Sequence, residues 1–182
     1  MTHIHSFPPI SDANATVLIL GSMPGKASLR ANEYYGHPQN AFWKIMGELV
    51  DAGPDLPYPL RVAALQSHGI AVWDVLKSCT RASSLDSDIV EDSIVTNDFA
   101  AFFDAHPNVA HVFFNGSKAK QAYRKYVLPT LERHAHIVTE GLPSTSPANA
   151  SIPYTAKRDA WTAIMNPSDT RMGKAIPSHD SS

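Results

Sequence analysis

TVLILGSMPG, residues 16–25, is the stretch that decides the fold. Thr16 to Leu20 are β-branched or apolar with no charged residue among them, and Gly21 ends the run, which is the pattern of a short strand buried on both faces. Strands of that kind belong to parallel sheets, whose crossovers are helices. Working outward, Val109 to Phe114 is the clearest strand of all, closing at Asn115-Gly116, and Gly69 to Trp73 and His136 to Thr139 read as two more. Helical stretches lie between them. Ala41 to Val50 places Phe42, Ile45, Met46 and Leu49 at helical spacing before Gly53-Pro54, and Leu60 to Ser67 is a second helix. Asn97 to Ala105 is a third, with Asn97 predicted as its N-cap, followed by Ser117 to Leu128 and Tyr154 to Met165. Four strands alternating with helices predict an α/β domain, a four-stranded parallel sheet covered on both faces, over residues 1–165. Residues 166–182 are polar, carry Gly173 and Pro177, and are expected to form a loose tail.

Composition sets limits on this reading. The 182 residues suit one core of ordinary size, and 43% apolar with 18% charged residues is the balance of a soluble globular protein. No apolar run approaches the roughly 20 residues of a membrane span, and Met1 to Ser6 carries no apolar core of a secretory signal. One cysteine, Cys79, excludes an internal disulfide, an all-cysteine zinc site and a four-cysteine iron–sulfur cluster. A bacterial-type cytoplasm is the simplest setting and a monomer the simplest assembly. The net charge of -2 does not announce a nucleic-acid binder, but its distribution is uneven. Asp86, Asp88, Glu91, Asp92, Asp98 and Asp104 fall in a stretch without Lys or Arg, and Lys118, Lys120, Arg124, Lys125 and Arg133 follow directly. A molecule with one acidic and one basic side meets phosphates on the basic side, although a solvated helix face has the same composition.

Parallel sheets bind ligands at the carboxyl ends of their strands. Those ends here are Gly21-Ser22-Met23-Pro24-Gly25, Trp73-Asp74, Asn115-Gly116 and residues 141–150, which are also the segments rich in Gly, Ser, Asn and Pro. Downstream of the first, Tyr34, Tyr35, His37, Asn40, Phe42 and Trp43 crowd four aromatics and two neutral hydrogen-bonding groups into ten residues. Such a set holds a flat heterocycle between rings and fixes it by an amide. The plainer alternatives are that Phe42 and Trp43 form the core face of the next helix and that Asn40 caps it. Asp74 either accepts from a base N–H or caps a following helix. Ser144 to Ser146, held between prolines, suits a phosphate backbone or an ordinary turn. Cys79 has no nearby His or Lys in sequence to activate it.

Together these segments resemble the uracil-DNA glycosylase superfamily, and in detail its hypoxanthine-DNA glycosylase branch. The resemblance rests on GSMPG at 21–25, YYGHPQNAFW at 34–43, WDVLKSC with Arg81 and SLD at 73–86, FFNGSKA at 113–119 and LPSTSPANA at 142–150, in order over nearly the whole chain. It implies a three-layer α/β/α domain and a monofunctional enzyme. Such an enzyme flips a deaminated nucleotide from DNA, hydrolyses its N-glycosidic bond and leaves an abasic site, without metal or cofactor. It also implies that Asn40, late in the first motif, is the catalytic residue. Many members carry Asp or Asn where this chain has Met23, and many begin the last motif with a histidine where this chain has Leu142. Neither Met23 nor Leu142 can take those polar roles.

On this reading Asn40 holds the attacking water, and the backbone N–H groups of Gly21, Ser22, Met23, Pro24 and Gly25 (proline excepted) meet the leaving base. Tyr35 or Phe42 stacks on it, with Trp73, Asp74 and Asn115 completing the base pocket. Ser144, Ser146 and Asn149 contact DNA, with Lys118 and Lys120 as outer contacts. Uracil and xanthine are the runner-up substrates. Two readings from other classes are a hydrolase of small nucleotides or esters using Ser22 or Ser144, which needs a base converging on that serine, and a lesion-binding protein without catalysis.

Overall fold

The computed structural model describes residues 2–167, so residues 168–182 of the expected tail lie outside the described part. The chain opens with β1 (Thr2–His5), runs through the centre as β2 (Val17–Gly21), and builds α1 (Lys26–Ala31), α2 (Phe42–Val50) and α3 (Tyr58–Ser67) before returning as β3 (Ile70–Asp74). Then come β4 (Leu76–Arg81), β5 (Val95–Thr96), α4 (Phe99–Ala105), β6 (His111–Asn115), α5 (Ser117–Ala122), β7 (Val138–Leu142) and α6 (Tyr154–Trp161). The central sheet has the order β3-β2-β6-β7 and is parallel throughout, as predicted.

Strand alternation explains the layers. Leu18 and Leu20 of β2, Ala71 and Trp73 of β3, and Val112 and Phe114 of β6 point to one face, where Phe99, Phe102 and Phe103 of α4 and Ala119 and Ala122 of α5 cover them. Val17, Ile19, Ile70, Val72 and Phe113 point to the other, under Phe42, Ile45 and Met46 of α2, Leu65 of α3 and Trp161 of α6. Each fully buried aromatic or branched side chain in these two cores contributes about 1.5–3 kcal/mol through removal from water. Among the described residues, no helix is long and apolar enough to cross a membrane.

Several local expectations are corrected. The loop after β2 contains the short helix α1, whose last turn closes on Asn32 in a left-handed conformation. The helix predicted from Asn97 is capped instead by Asp98, whose Oδ1 accepts from the Ala101 N–H, because the Asn97 amide is spent on the Asp74 carbonyl. The predicted helix over 117–128 changes at Tyr123 to a π-helical turn running to Val127. A second, antiparallel sheet of order β1-β4-β5 was not predicted at all. It ties the start of the chain to the floor of the site, with Thr2 opposite Arg81.

Candidate active site

The carboxyl ends of β2, β3, β6 and β7 open into a cavity of about 550 Å³, the size of an ordinary small-molecule pocket. Its wall is made by the loop Gly21 to Gly25, Tyr34, Tyr35, His37, Asn40, Asp74, Asp86, Asn115 and the loop from Leu142 to Asn149. Of the residues expected at the site, Asn40, Gly21, Ser22, Met23, Pro24, Gly25, Tyr35, Asp74, Asn115, Ser144, Ser146 and Asn149 meet in this one wall. The loop after β2 is fixed from behind, since the Gly21 and Ser22 carbonyls accept from the Val75 and Leu76 N–H groups and the Pro24 carbonyl accepts from Arg81 Nη2 at 2.6 Å.

The floor is crowded with polar atoms. A methyl group placed on Gly21 would sit 2.7 Å from Asp74 Oδ1 and 3.0 Å from the Tyr35 hydroxyl, so only glycine lets both approach the strand end. Tyr35 itself has a left-handed backbone (φ 54°), an uncommon state for an aromatic residue and one that clusters at functional sites. Its ring is stacked on Phe42 at 4.1 Å, so Phe42 stiffens Tyr35 from behind. Burial and then the Asp74 carboxylate push the Tyr35 hydroxyl well above the usual phenol range. Burial also pushes the Asp74 carboxyl up to about 7, with Asp86 adding to the rise and Arg81 opposing it.

Asn40 lines the cavity at its rim, and its Oδ1 accepts from the Phe42 N–H at 2.9 Å. That bond orients the amide and leaves the second lone pair of Oδ1 for a further donor. The N-cap of α2 is Ala41, without a side-chain cap bond, so the capping role expected of Asn40 is corrected to a local turn just ahead of the helix. Asn115 locks the last loop: its Nδ2 donates to Thr145 Oγ1 and its Oδ1 accepts from the Thr145 N–H, each at 2.9 Å. Within that loop the Ser146 N–H donates to Ser144 Oγ, the Ala148 N–H to Ser146 Oγ and Asn149 Nδ2 to the Ser144 carbonyl. These local turns make the serines both loop formers and cavity walls.

Two residues expected in the base pocket, Phe42 and Trp73, lie away from the cavity. Phe42 is fully buried and reaches the cavity only through Tyr35, because the helical spacing that made it prominent turns it into the core. Trp73 faces the opposite side of the sheet from Asp74's cavity, stacked on Phe102 at 5.1 Å with its Nε1 donating to the Phe7 carbonyl. Lys118, paired with Glu91, and Lys120, packed along Gly141 in a shallow basic depression with Arg124 and Lys125, lie outside the cavity, as outer contacts do. Asp74 caps no helix, since β4 follows it.

Sequence reasoning missed Asp86, which accepts from Ser22 Oγ at 2.6 Å across 64 residues of chain. It also missed a second cavity of about 610 Å³ that shares Tyr35, His37, Asn40, Thr145, Ser146 and Pro147 with the first. Lys44, Arg61 and Lys157 line this second cavity, and only 6% of Lys157 is exposed. A lysine in the first turns of a helix gives no signal in sequence of facing inward. No histidine is hydrogen-bonded to Ser22 or Ser144 among the described residues; Ser22 donates to a carboxylate and Ser144 accepts from a backbone N–H. The relay that a serine hydrolase needs is not assembled. Burial raises the Cys79 thiol above its ordinary pKa, opposite to the activation of a nucleophile. Among the described residues, no group of three or more His, Cys, Asp or Glu side chains stands close enough to hold a metal ion.

The profile of the Uracil DNA glycosylase superfamily matches residues 8–168. The chain belongs to that superfamily. It is 34% identical over 160 residues to the hypoxanthine DNA glycosylase of Methanosarcina acetivorans, an overlap of 87% of this chain and 95% of that one. It is 42% identical over 116 residues to the hypoxanthine DNA glycosylase of Methanosarcina barkeri, covering 62% of this chain and 71% of the relative. The solution NMR structure of a candidate uracil DNA glycosylase from Methanosarcina acetivorans superposes with a TM-score of 0.75 at 33% identity, over 92% of this chain and 99% of that one. The three-layer α/β/α architecture is therefore that of the superfamily.

Proposed function

We propose that the protein is a hypoxanthine-DNA glycosylase, hydrolysing the N-glycosidic bond of deoxyinosine in DNA and leaving an abasic site for base excision repair. The observation that carries this reading is the meeting of Asn40, Tyr35 and Asp74 in one strand-end cavity with room for a two-ring base. The names of the two Methanosarcina relatives support hypoxanthine over uracil.

The flipped base slides against the Tyr35 ring, which Phe42 backs on its far side. As the bond to C1′ breaks, positive charge grows on the sugar and negative charge on the base. The free lone pair of Asn40 Oδ1 accepts from the attacking water and directs its oxygen to C1′. Because an amide does not titrate near neutrality, Asn40 orients the water without taking its proton. The backbone N–H groups of the Gly21 to Gly25 loop meet the departing base. Ser144, Ser146 and Asn149, preset by their own turns, meet the DNA strand. On this reading the enzyme works as a monomer on cytoplasmic DNA and uses no metal ion.

The test is base release from matched duplexes carrying one deoxyinosine, one deoxyuridine or one deoxyxanthosine. Hypoxanthine release that falls by at least about 10²-fold in Asn40→Ala, with DNA binding retained, is the expected result. Dominant uracil release overturns the substrate, and a fully active Asn40→Ala overturns the catalytic assignment.

A further inference from the structure

A departing purine needs a donor for its growing negative charge, and Leu142 in the cavity wall offers none. The carboxyl of Asp74 reaches the same cavity from the end of β3 and is 3% exposed. Its Oδ2 is buried without a hydrogen-bond partner among the described residues, and so is the Tyr35 hydroxyl beside it. A carboxylate in that position lacks the donors that stabilise its charge, whereas a carboxylic acid brings its own proton and needs only an acceptor.

The neighbours of Asp74 have been placed consistently with the acid form. From the turn at Asp86–Asp88, Asp86 presents a second carboxylate, held by Ser22 Oγ, and its field disfavours a second negative charge. From β4, Arg81 opposes this: its Nη2 donates to the Pro24 carbonyl, while its Nε and Nη1 are buried without a partner among the described residues, and its charge does not outweigh burial and Asp86. From the loop before α2, Tyr34 and Tyr35 face Asp74 as neutral phenols, each raised by burial first and by Asp74 after it. Burial is the leading cause that lifts Asp74 itself to about 7.

We propose that Asp74 is the general acid of this site: it donates its proton to a ring acceptor of the purine as the glycosidic bond breaks. The inference rests on the glycosylase reading above. The C1′–N bond breaks with its electron pair passing to the base, and the proton of Asp74 neutralises that base. Water supplies the hydroxyl on C1′, and its remaining proton goes to solvent, from which the Asp74 carboxylate is recharged. Activity then requires the protonated form, which predominates below about pH 7 and is lost as pH rises through that value.

Two measurements test this. The first is single-turnover release of hypoxanthine from a deoxyinosine duplex at several pH values from about 5.5 to about 8.5, for the wild type and Asp74→Asn, with folding of the variant checked by circular dichroism. The wild-type rate is expected to fall about tenfold per pH unit above the midpoint. Asp74→Asn keeps a hydrogen-bond donor but no transferable proton, so it should be slower at about pH 6 by about 10²-fold and lose the alkaline fall. The second is the carboxyl-carbon NMR titration of Asp74 in the free wild-type protein, expected to show a midpoint at about 7. A wild-type rate that is flat or rises with pH, an Asp74→Asn profile that keeps the same fall, or a titration midpoint at the ordinary carboxylate value of about 4 overturns the proposal. If Asp74→Asn does not fold, the wild-type profile and titration decide alone. No release by the wild type at any pH overturns the glycosylase reading and this inference with it, an outcome distinct from release with the wrong pH dependence.

Discussion

Removing the Asn115 side chain should unfasten the last loop and cost the protein measurable stability. Asn115→Ala deletes two hydrogen bonds to Thr145, one to its backbone N–H and one to its hydroxyl. Each is worth about 1 kcal/mol net, and the Thr145 N–H, on a residue only 1% exposed, is left without its acceptor in a dry place. The sum is about 2–4 kcal/mol, which for a chain of this size lowers the melting temperature by roughly 4–16 °C. Thr145→Val removes only the hydroxyl bond and should cost about 1–2 kcal/mol. Because both changes break the same pair, the double variant should be less destabilised than the sum of the singles by about 1 kcal/mol. Thermal and urea unfolding followed by circular dichroism give all three values. An Asn115→Ala protein that melts within about 2 °C of the wild type, or strict additivity in the double variant, refutes the view that this pair anchors the loop. Loss of DNA affinity in step with loss of loop anchoring would assign Asn115 a positioning role.

Tyr35→Phe keeps the stacking ring and removes a buried hydroxyl that makes no geometric hydrogen bond among the described residues, so the melting temperature should hold or rise and hypoxanthine release should stay within about threefold of the wild type; a drop of more than about 3 °C contradicts the picture of an unpaired group. Lys157→Met should weaken binding to duplexes with and without a lesion alike and reduce the slope of log affinity against log salt by about one, as expected for one lost phosphate contact from the second cavity. An unchanged slope in fluorescence-anisotropy titrations would exclude Lys157 from the DNA path.

Much of the architecture was legible because β2 is an unbroken apolar run ending at Gly21 and β6 holds Val112, Phe113 and Phe114 in a row just before Asn115-Gly116, patterns with few readings. β1 and β4 were not, since THIH and LKSCTR lack a continuous apolar face, and their pairing joins Thr2 to Arg81 across most of the first half of the chain. The site shows the same division. Residues at strand ends and in stiff turns, such as Asp74, Asn115 and Ser144, were placed by the rule that parallel sheets bind at their carboxyl ends. Facing was harder. Trp73 and Asp74 are adjacent in sequence, yet the alternation of a strand sends them to different sides, and Phe42 obeys its helix while Tyr35 obeys its loop. The Lys118–Glu91 ion pair and the Ser22–Asp86 hydrogen bond could not be foreseen from the sequence. Ion pairs and hydrogen bonds over such separations leave no local trace in sequence.

The pairing of β1 with β4 has a practical side. β1 lies in a ladder whose other strand carries Arg81, and Arg81 holds the Pro24 carbonyl under the cavity. A purification tag or fusion partner attached ahead of β1 would therefore pull on the strand whose Thr2 is paired with the very residue that braces the first motif. Such a graft loads the site itself, in the way a handle bolted to a hinge loads the door. Preparations meant for kinetics are better served by a tag that is cleaved close to Thr2, and a change in activity on cleavage would be a direct readout of how rigidly that brace is held.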